Sequence, residues 1–450
     1  MPNYNAGIVN VGDPGAVIDS TIPSRRLFNF SDRVAELAPD ESPFFVYLSK
    51  VAKVPTDDPQ FRFLEDRTKV SMTDRSFLLN GSHSIPAAGS SLSYTVDSSS
   101  ASVDWLIKGM VFAVGYTEND SPESIIVRIE SGVTDNGSTS SFVGKTISSV
   151  DGGETGADNA KCTVIGTSYA EGSGSPDVWS EELDNGYGYT QIFKTACEMS
   201  NTARATRYRG YADEWQRIWN LKLREHKIDI ERAMLFGQKA SQSGIQYSEG
   251  ICGHVIKNGT SVVNDDALTY SSGAPYFRSA QQSELTYDRL LSDFEVIYDP
   301  ARGGSQQKLA LASLPVITFF NKLGADFFVN RSIMSGTSTA VNDVSALKYN
   351  IQEKEGSFGH KIMMVDTIHG SMALVKEPLF RGFASGFLQL VDLDHVSYRP
   401  LVGNGVNRDT HIISNVQSSD EDLRKDMILT EAGLEVSLPE THYLLNLEGV

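Results

Sequence analysis

The chain has 450 residues, 40% of them apolar and 21% charged, which are globular values for two or three packed units at about 100–200 residues each. Fifty-seven acidic residues against 39 basic ones give a net charge of −18, and this repels phosphate backbones and argues against a nucleic-acid reader that works by charge neutralisation. Cys162, Cys197 and Cys252 show no metal-ligand spacing and are expected as free thiols of a reducing compartment.

The start of the chain lacks the basic residues and apolar run of a secretory signal, and no stretch approaches the ~18 apolar residues of a membrane span, so synthesis and folding in the cytosol are expected. Residues 1–30 are rich in Asn, Gly, Pro and Val without a sustained period and predict an extended arm. Ser31 is placed to cap a short helix from Asp32 to Leu37, and Ser42-Pro43 to open a second one through Leu48.

From Phe61 to Leu79 apolar and charged residues interleave, which predicts a partly exposed strand. A Ser/Gly/Thr-rich stretch follows from about 89 to 188. It holds short strand-like runs at Leu106-Ile107 with Met110–Val114, at Ile125–Ile129 and at Cys162–Ile165, parted by Asn-Gly, Gly-Gly and Gly-Ser turns. A small all-β module is expected over about 92–186, with Phe61–Leu79 and Tyr189–Met199 pairing as antiparallel arms at its base.

Composition then shifts: Thr202 to Lys239 contains no Pro and predicts one long helix of ~35 residues, about 50 Å. Tyr208, Tyr211, Trp215, Ile218, Trp219, Ile230 and Met234 recur at helical spacing among charged residues, and Asp213 and Arg217 stand at i,i+4. Such a spine is expected to serve contacts within or between subunits. Beyond it, Thr286 predicts a capped amphipathic helix to Tyr298. Lys308–Leu314 reads as a buried strand and Pro315–Leu323 as a helix. Two strands at 360–366 and 371–376 join at His369-Gly370, and extended segments follow at 386–399, 410–416 and 427–447. The second half is α+β.

Motifs that carry chemistry are scarce. No phosphate-binding loop, H-E-x-x-H or G-x-S-x-G pattern occurs. Gly186-Tyr187-Gly188 lacks the third glycine of a dinucleotide fingerprint and reads as a turn. The eight histidines are dispersed, none at i,i+4. Asp392-Leu393-Asp394-His395 is the best enzyme-like cluster, but on a strand Asp392 and Asp394 would face away from His395, so solvated strand residues are the expectation. No catalytic, cofactor or metal residues are assigned.

The order of arm, long β excursion, charged helix and α+β half resembles the tailed-phage major capsid fold of Hong Kong 97 type. Three stretches carry a likeness to phage major head proteins: Ser31 to Phe44, Tyr189 to Lys194 leading through Ser200 into the helix, and Ile228 to Gly237. Leu429 to Val436 is similar as well. The resemblance implies an N-arm with short helices at 1–60 and an E-loop at 61–198 bearing the inserted module. It further implies a P-domain spine at 199–245, mainly A-domain at 246–385, and strands completing both domains at 386–450. In function it implies a structural subunit and not an enzyme, self-assembling into hexamers and pentamers around packaged double-stranded DNA without sequence-specific binding. Scaffolding, portal and decoration proteins are the implied partners. Since no long helical N-terminal extension stands in for a scaffold, that protein would be separate or dispensed with, and no motif identifies residues for covalent cross-linking. Candidate contacts between subunits are Arg204, Arg207, Arg209, Asp213, Glu214 and Arg217 on the spine, with Glu65, Asp66 and Arg67 on the loop arm. The rival readings are a tail-tube or decoration protein, and a β-rich hydrolase or lyase using Asp392, Asp394 and His395.

Overall fold

The computed structural model describes residues 53–322, 352–355 and 361–449, apart from breaks at 67–74, 98–102, 104, 115–124, 136–138, 150–153, 157–159, 179–181, 209–212, 264–265, 269–273 and 300–303. Ahead of them Phe44, Phe45, Leu48 and Ser49 are described, and all four are helical. The predicted arm and the helix from Asp32 to Leu37 lie outside the described residues, as does the Ser42-Pro43 start of the second helix. Phe44 and Leu48 share one face at i,i+4 and are fully buried.

The first half is β-rich. Its strands are β1 (Arg62–Glu65), β2 (Ser76–Leu78), β3 (His83–Ile85), β4 (Ser91–Asp97), β5 (Met110–Val114), β6 (Ile125–Ile129), β7 (Thr134–Asp135), β8 (Thr139–Ser148), β9 (Glu154–Gly156), β10 (Lys161–Thr167) and β11 (Asp184–Tyr187). β1 and β11 form a two-stranded antiparallel ribbon with Glu65 opposite Asp184. Between them the order β2-β10-β5-β6-β8-β4 runs antiparallel throughout. Leu79 bridges Val96, and the Asn80 N–H donates to the Thr95 carbonyl at 2.9 Å, so the last strand returns to the first. The module is thus a small closed barrel, which leaves no long unpaired edge. Phe77, Tyr94, Phe112 and Phe142 fill it, with Phe77 and Phe112 ring centroids 5.2 Å apart.

Strands are present at Met110–Val114, Ile125–Ile129 and over Cys162–Ile165, whereas Leu106-Ile107 lie in the turn ahead of β5 and not in a strand. The sequence pattern hides β4 and β8, whose outward Ser and Thr residues mask an inward set: in β4, Tyr94 and Val96 are buried while Ser91 and Ser93 are exposed. The module also begins at Ser76 and not near 92, because β2 is needed to close the barrel against β10. Nor do Tyr189–Met199 pair with Phe61–Leu79. That segment is β12 (Gln191–Ser200), which runs a ten-residue ladder, Gln191 opposite Ala432 through Ser200 opposite Leu423, with a strand near the C-terminus. The longer ladder buries Phe193, Cys197 and Met199, whereas the ribbon base is closed by only four pairs. Gly186-Tyr187-Gly188 is correspondingly part of β11 and its exit. A Cβ on Gly186 would stand 2.3 Å from the Phe63 ring and one on Gly188 2.4 Å from that of Phe61, so these glycines let two aromatic rings cross the backbone.

The predicted long helix is two helices, α1 (Asn201–Ala205) and α2 (Glu214–Phe236). Caps decide the break. Ser200 Oγ accepts the Ala203 N–H, Thr206 turns extended at φ −81° and ψ 137°, and Asp213 Oδ1 accepts the N–H groups of Trp215 at 2.9 Å and Gln216 at 3.3 Å. Good helix propensity does not outweigh a competing set of side-chain caps. Asp213 is therefore a cap, and the ion-pair partner of Arg217 is Glu214 at i,i+3. At 23 residues α2 is about 34 Å long. Asp213→Ala should lower stability by about 1 kcal/mol in urea melts of the subunit, while Asp213→Asn, which keeps the acceptor, should change it by a few tenths at most.

After the hairpin β13 (Ala240–Gln242) and β14 (Ile245–Tyr247) come α3 (Ile251–Asn258), β15 (Thr260–Val263), β16 (Tyr276–Gln281), α4 (Tyr287–Ile297), β17 (Gln307–Ala312) and α5 over 314–322. The chain continues through β18 (Gln352–Glu355), β19 (Lys361–Asp366), β20 (Ser371–Lys376), β21 (Phe387–Val391), β22 (Val396–Pro400), β23 (Val402–Gly403), β24 (Val406–Asn407), β25 (His411–Ile413), β26 (Leu423–Val436) and β27 (Tyr443–Glu448). Thr286 caps α4 by accepting the Arg289 N–H at 3.3 Å. An eight-stranded mixed sheet has the order β15-β16-β27-β21-β17-β20-β19-β18, and a four-stranded sheet has β12-β26-β22 with β25 added to β26. The predicted extended segments 386–399 and 427–447 are each broken by a 3-10 turn, at Leu393–His395 and Pro439–Thr441. Asp392 caps the first through the Asp394 N–H, and Pro439 opens the second. One apolar core joins Phe44 and Leu48 to α2, α3 and the four-stranded sheet, and a second fills the space around α4, α5 and the eight-stranded sheet. The three cysteines are free and buried.

Candidate functional site

The two halves of α2 bury themselves differently. In the C-terminal half Ile230, Met234 and Leu235 are fully buried, and His226 is locked beneath the helix between the hydroxyls of Thr195 at 2.9 Å and Thr430 at 2.8 Å. Burial holds the His226 imidazole below its usual range, so it acts as a neutral hydrogen-bonding group of the core. The N-terminal half has no buried residue: Trp215, Ile218 and Trp219 are half-covered and Leu221 is 48% exposed.

Around this half the charged residues are organised. Trp215 and Trp219 stack with centroids 6.4 Å apart, and the Arg424 guanidinium lies 4.8 Å from the Trp215 ring centre with that of Arg204 at 6.0 Å. Arg424 is held by Asp426 at 2.8 Å. Burial opposes ionisation of Asp426, but the Arg424 guanidinium and the Asn415 N–H outweigh it and keep the carboxyl below its usual range. Hydrogen bonds from Arg217 do the same for Glu214. Arg207 is exposed. On the ribbon, Asp66 is exposed, and Glu65 turns inward to accept the Leu438 N–H at 2.9 Å, tying the ribbon base to its own chain. Arg67 and Arg209 lie outside the described residues. Sequence reasoning missed Arg424 and Asp426. They lie more than 200 positions from α1, and only the β12–β26 register, with Met199 opposite Arg424, brings them to it.

The enzyme-like cluster is not assembled as one site. Asp392 is fully buried, not a solvated strand residue, and its Oδ2 accepts from the Ser305 N–H at 2.7 Å and the buried Lys308 ammonium at 3.1 Å. Burial opposes its ionisation, and Lys308 and the Ser305 N–H outweigh that opposition. Asp394 is exposed and His395 half-buried beyond the turn. His442, which accepts the Asp392 N–H on Nδ1, is driven down to about 3 by burial and by Lys308, and is neutral. This is a paired buried charge with hydrogen bonds, the arrangement of a structural ion pair. No group of three His, Cys, Asp or Glu residues able to hold a metal occurs among the described residues. No helix among them is long and apolar enough to cross a membrane.

The family model described as SU10 major capsid protein matches residues 12–448. No curated protein matches the chain. Among solved structures, the chain is similar to the capsid asymmetric unit of cyanophage A-1(L), with 10% identity, coverage of 94% of this chain and 98% of that one, and a TM-score of 0.47. The capsid of the native GTA particle gives 9% identity, 97% and 99% coverage and a TM-score of 0.41. Mycobacterium phage Bobi gives 8%, 94% and 96%, and 0.42. With nearly the whole length matched by one family model, the chain belongs to the SU10 major capsid protein family and is a structural protein of the bacteriophage virion.

Proposed function

We propose that this major capsid protein closes an icosahedral head as hexamers and pentamers around packaged double-stranded DNA. The observation that carries the reading is unfinished burial. A two-stranded ribbon is marginal by itself, and this one exposes Leu64 (66%) and Tyr187 (43%). The first half of α2 likewise leaves its tryptophans half-covered. Surfaces of this kind gain stability by lying on a neighbouring copy. In this reading the ribbon is the base of the E-loop and the barrel is its insertion. The α2 helix and the four-stranded sheet form the P-domain, and the eight-stranded sheet forms the A-domain. Arg204, Arg207, Glu214 and Arg217, with Asp66, would flank the contacts, while Asp213 and Glu65 serve their own chain as a cap and a tie. The acidic chain avoids gripping the genome by like-charge repulsion. Assembly would take place in the host cytoplasm with scaffolding and portal proteins, and decoration proteins would bind outside.

Electron microscopy and light scattering of the purified protein, with and without co-expressed head proteins, test this. Rings or shells of many copies are the expected result, and a stable monomer under every condition overturns it. Arg217→Glu should impair assembly far more than it lowers the melting temperature of the subunit, since a part-exposed pair contributes only about 0.2–1 kcal/mol to one fold while the defect recurs at every symmetric contact. Equal losses in both would place Arg217 in a purely internal role.

A further inference from the structure

Two carboxyl groups meet in the core where the chain enters from its N-terminal end. Glu231, on α2 between Ile230 and Arg232, is fully buried, and Glu377, just past β20, is 2% exposed. Glu231 Oε1 accepts the Phe44 N–H at 2.9 Å, and Glu377 Oε1 accepts the Leu379 N–H at 3.1 Å. Their second oxygens are both buried and meet no donor among the described residues, and each carboxyl acts on the ionisation of the other. Ionised carboxylates only accept. Two of them face to face in an apolar core would leave two charges and two empty acceptors, so one proton between them is the arrangement that satisfies both.

We propose that Glu231 and Glu377 form a proton-operated latch that fastens the helical segment of Phe44, Phe45, Leu48 and Ser49 onto α2, and that loss of the shared proton loosens this segment. The surroundings leave the proton as the only compensation among the described residues. The segment itself presents the N–H groups of Phe44 and Phe45 to Glu231, the Cys252 thiol of α3 feels the charge of Glu377, and the apolar core that holds Phe44 includes Phe193 of β12 and Leu434 of β26. Burial raises the Cys252 thiol far above its usual range, so it stays neutral. Among the described residues no basic side chain is a leading influence on either carboxyl. Among the described residues no third ligand stands with them, and a shared proton accounts for the pair.

Linkage fixes the sign. Burial, and after it the charge of Glu377, pushes Glu231 up to about 10, and burial pushes Glu377 up to about 7. Groups raised above their unfolded values contribute stability that is present at acidic pH and is lost as pH rises through the folded values. The latch is therefore fully closed only below the ordinary Glu value of about 4.3, loosens progressively as pH rises from there, and is lost as pH passes through the folded values.

Hydrogen exchange of the full-length subunit tests it, read at the Phe44 and Phe45 amides and corrected for intrinsic hydroxide catalysis. In the wild type the corrected exchange should accelerate by at least about tenfold per pH unit between about pH 5 and pH 7 and less steeply above, while amides of the central strand β27 stay protected. Glu377→Gln supplies a permanent N–H donor to Glu231 and should flatten the profile. Glu231→Gln should do the same and serves if the first variant does not fold. A flat wild-type profile, or the same rise in the wild type and the Gln variants, overturns the latch.

Discussion

Asp293→Ala is expected to destabilise the subunit by about 3–5 kcal/mol, because it leaves a guanidinium buried without its counter-charge. Arg278 on β16 and Asp293 on α4 are both fully buried. The Arg278 Nε and Nη2 groups donate to the two Asp293 oxygens, the second at 2.7 Å, and Nη2 also donates to the Asp266 carbonyl at 2.9 Å. The Tyr443 hydroxyl on β27 donates to Asp293 Oδ2 at 2.9 Å. Burial, and next the Asp293 charge, keep this phenol protonated. The triad thus ties a helix to two neighbouring strands of the eight-stranded sheet, and removal of the carboxylate leaves the guanidinium without its counter-charge and the phenol without this acceptor. Thermal unfolding of the unassembled subunit should show the transition of this part of the chain lowered by roughly 10 °C. Replacing the set together by apolar residues, Arg278→Met, Asp293→Leu and Tyr443→Phe, should recover most of the loss, since no charge is then left unpaired. Recovery in the triple variant separates the unpaired charge from mere loss of packing.

The barrel supplies the second large effect. Replacing 67–183 by a short Gly/Ser turn retains β1 and β11, removes the barrel entire, and should leave α2, the four-stranded sheet and the eight-stranded sheet folded. A cut at 101–184 behaves differently. It removes β5, β6, β8 and β10 and leaves Phe77, Leu79, Tyr94 and Val96 of β2, β4 and their flanks without partners. Each such side chain loses about 1.5–3 kcal/mol of burial, and the uncovered strand edges invite association. The first deletion should yield soluble subunit by size-exclusion chromatography, and the second aggregate. Equal behaviour of the two would show that the barrel is not a separate unit.

Local chemistry was legible in the sequence wherever one short stretch decides the outcome. The Thr286 cap, the buried strand that became β17, the turn at His369-Gly370 and the three apolar strand runs of the barrel all depend on residues within a few positions of one another. The stretches that carry the capsid resemblance were equally readable, and the family match spans them. The helix length was misjudged for a local reason as well: Asp213 was read only as the i,i+4 partner of Arg217, whereas its carboxylate satisfies two N–H groups at the helix start that otherwise have no partner.

What only the tertiary structure decided involves partners far apart along the chain. Barrel closure joins Leu79 to Val96 and β2 to β10, and β12 prefers β26 to the nearer ribbon because ten ladder pairs and a buried apolar face exceed four pairs in solvent. Arg424 reaches Trp215, Lys308 finds Asp392, and Glu231 meets Glu377, each across a separation at which sequence pattern carries no signal. The sequence by itself determined composition class, the Thr286 cap, the apolar strand runs and the capsid family, since these rest on local propensity and short motifs. Strand order, charge pairing and the shared proton were left to the packed chain, because Coulomb and hydrogen-bond energies depend on distances in space that period and spacing do not encode.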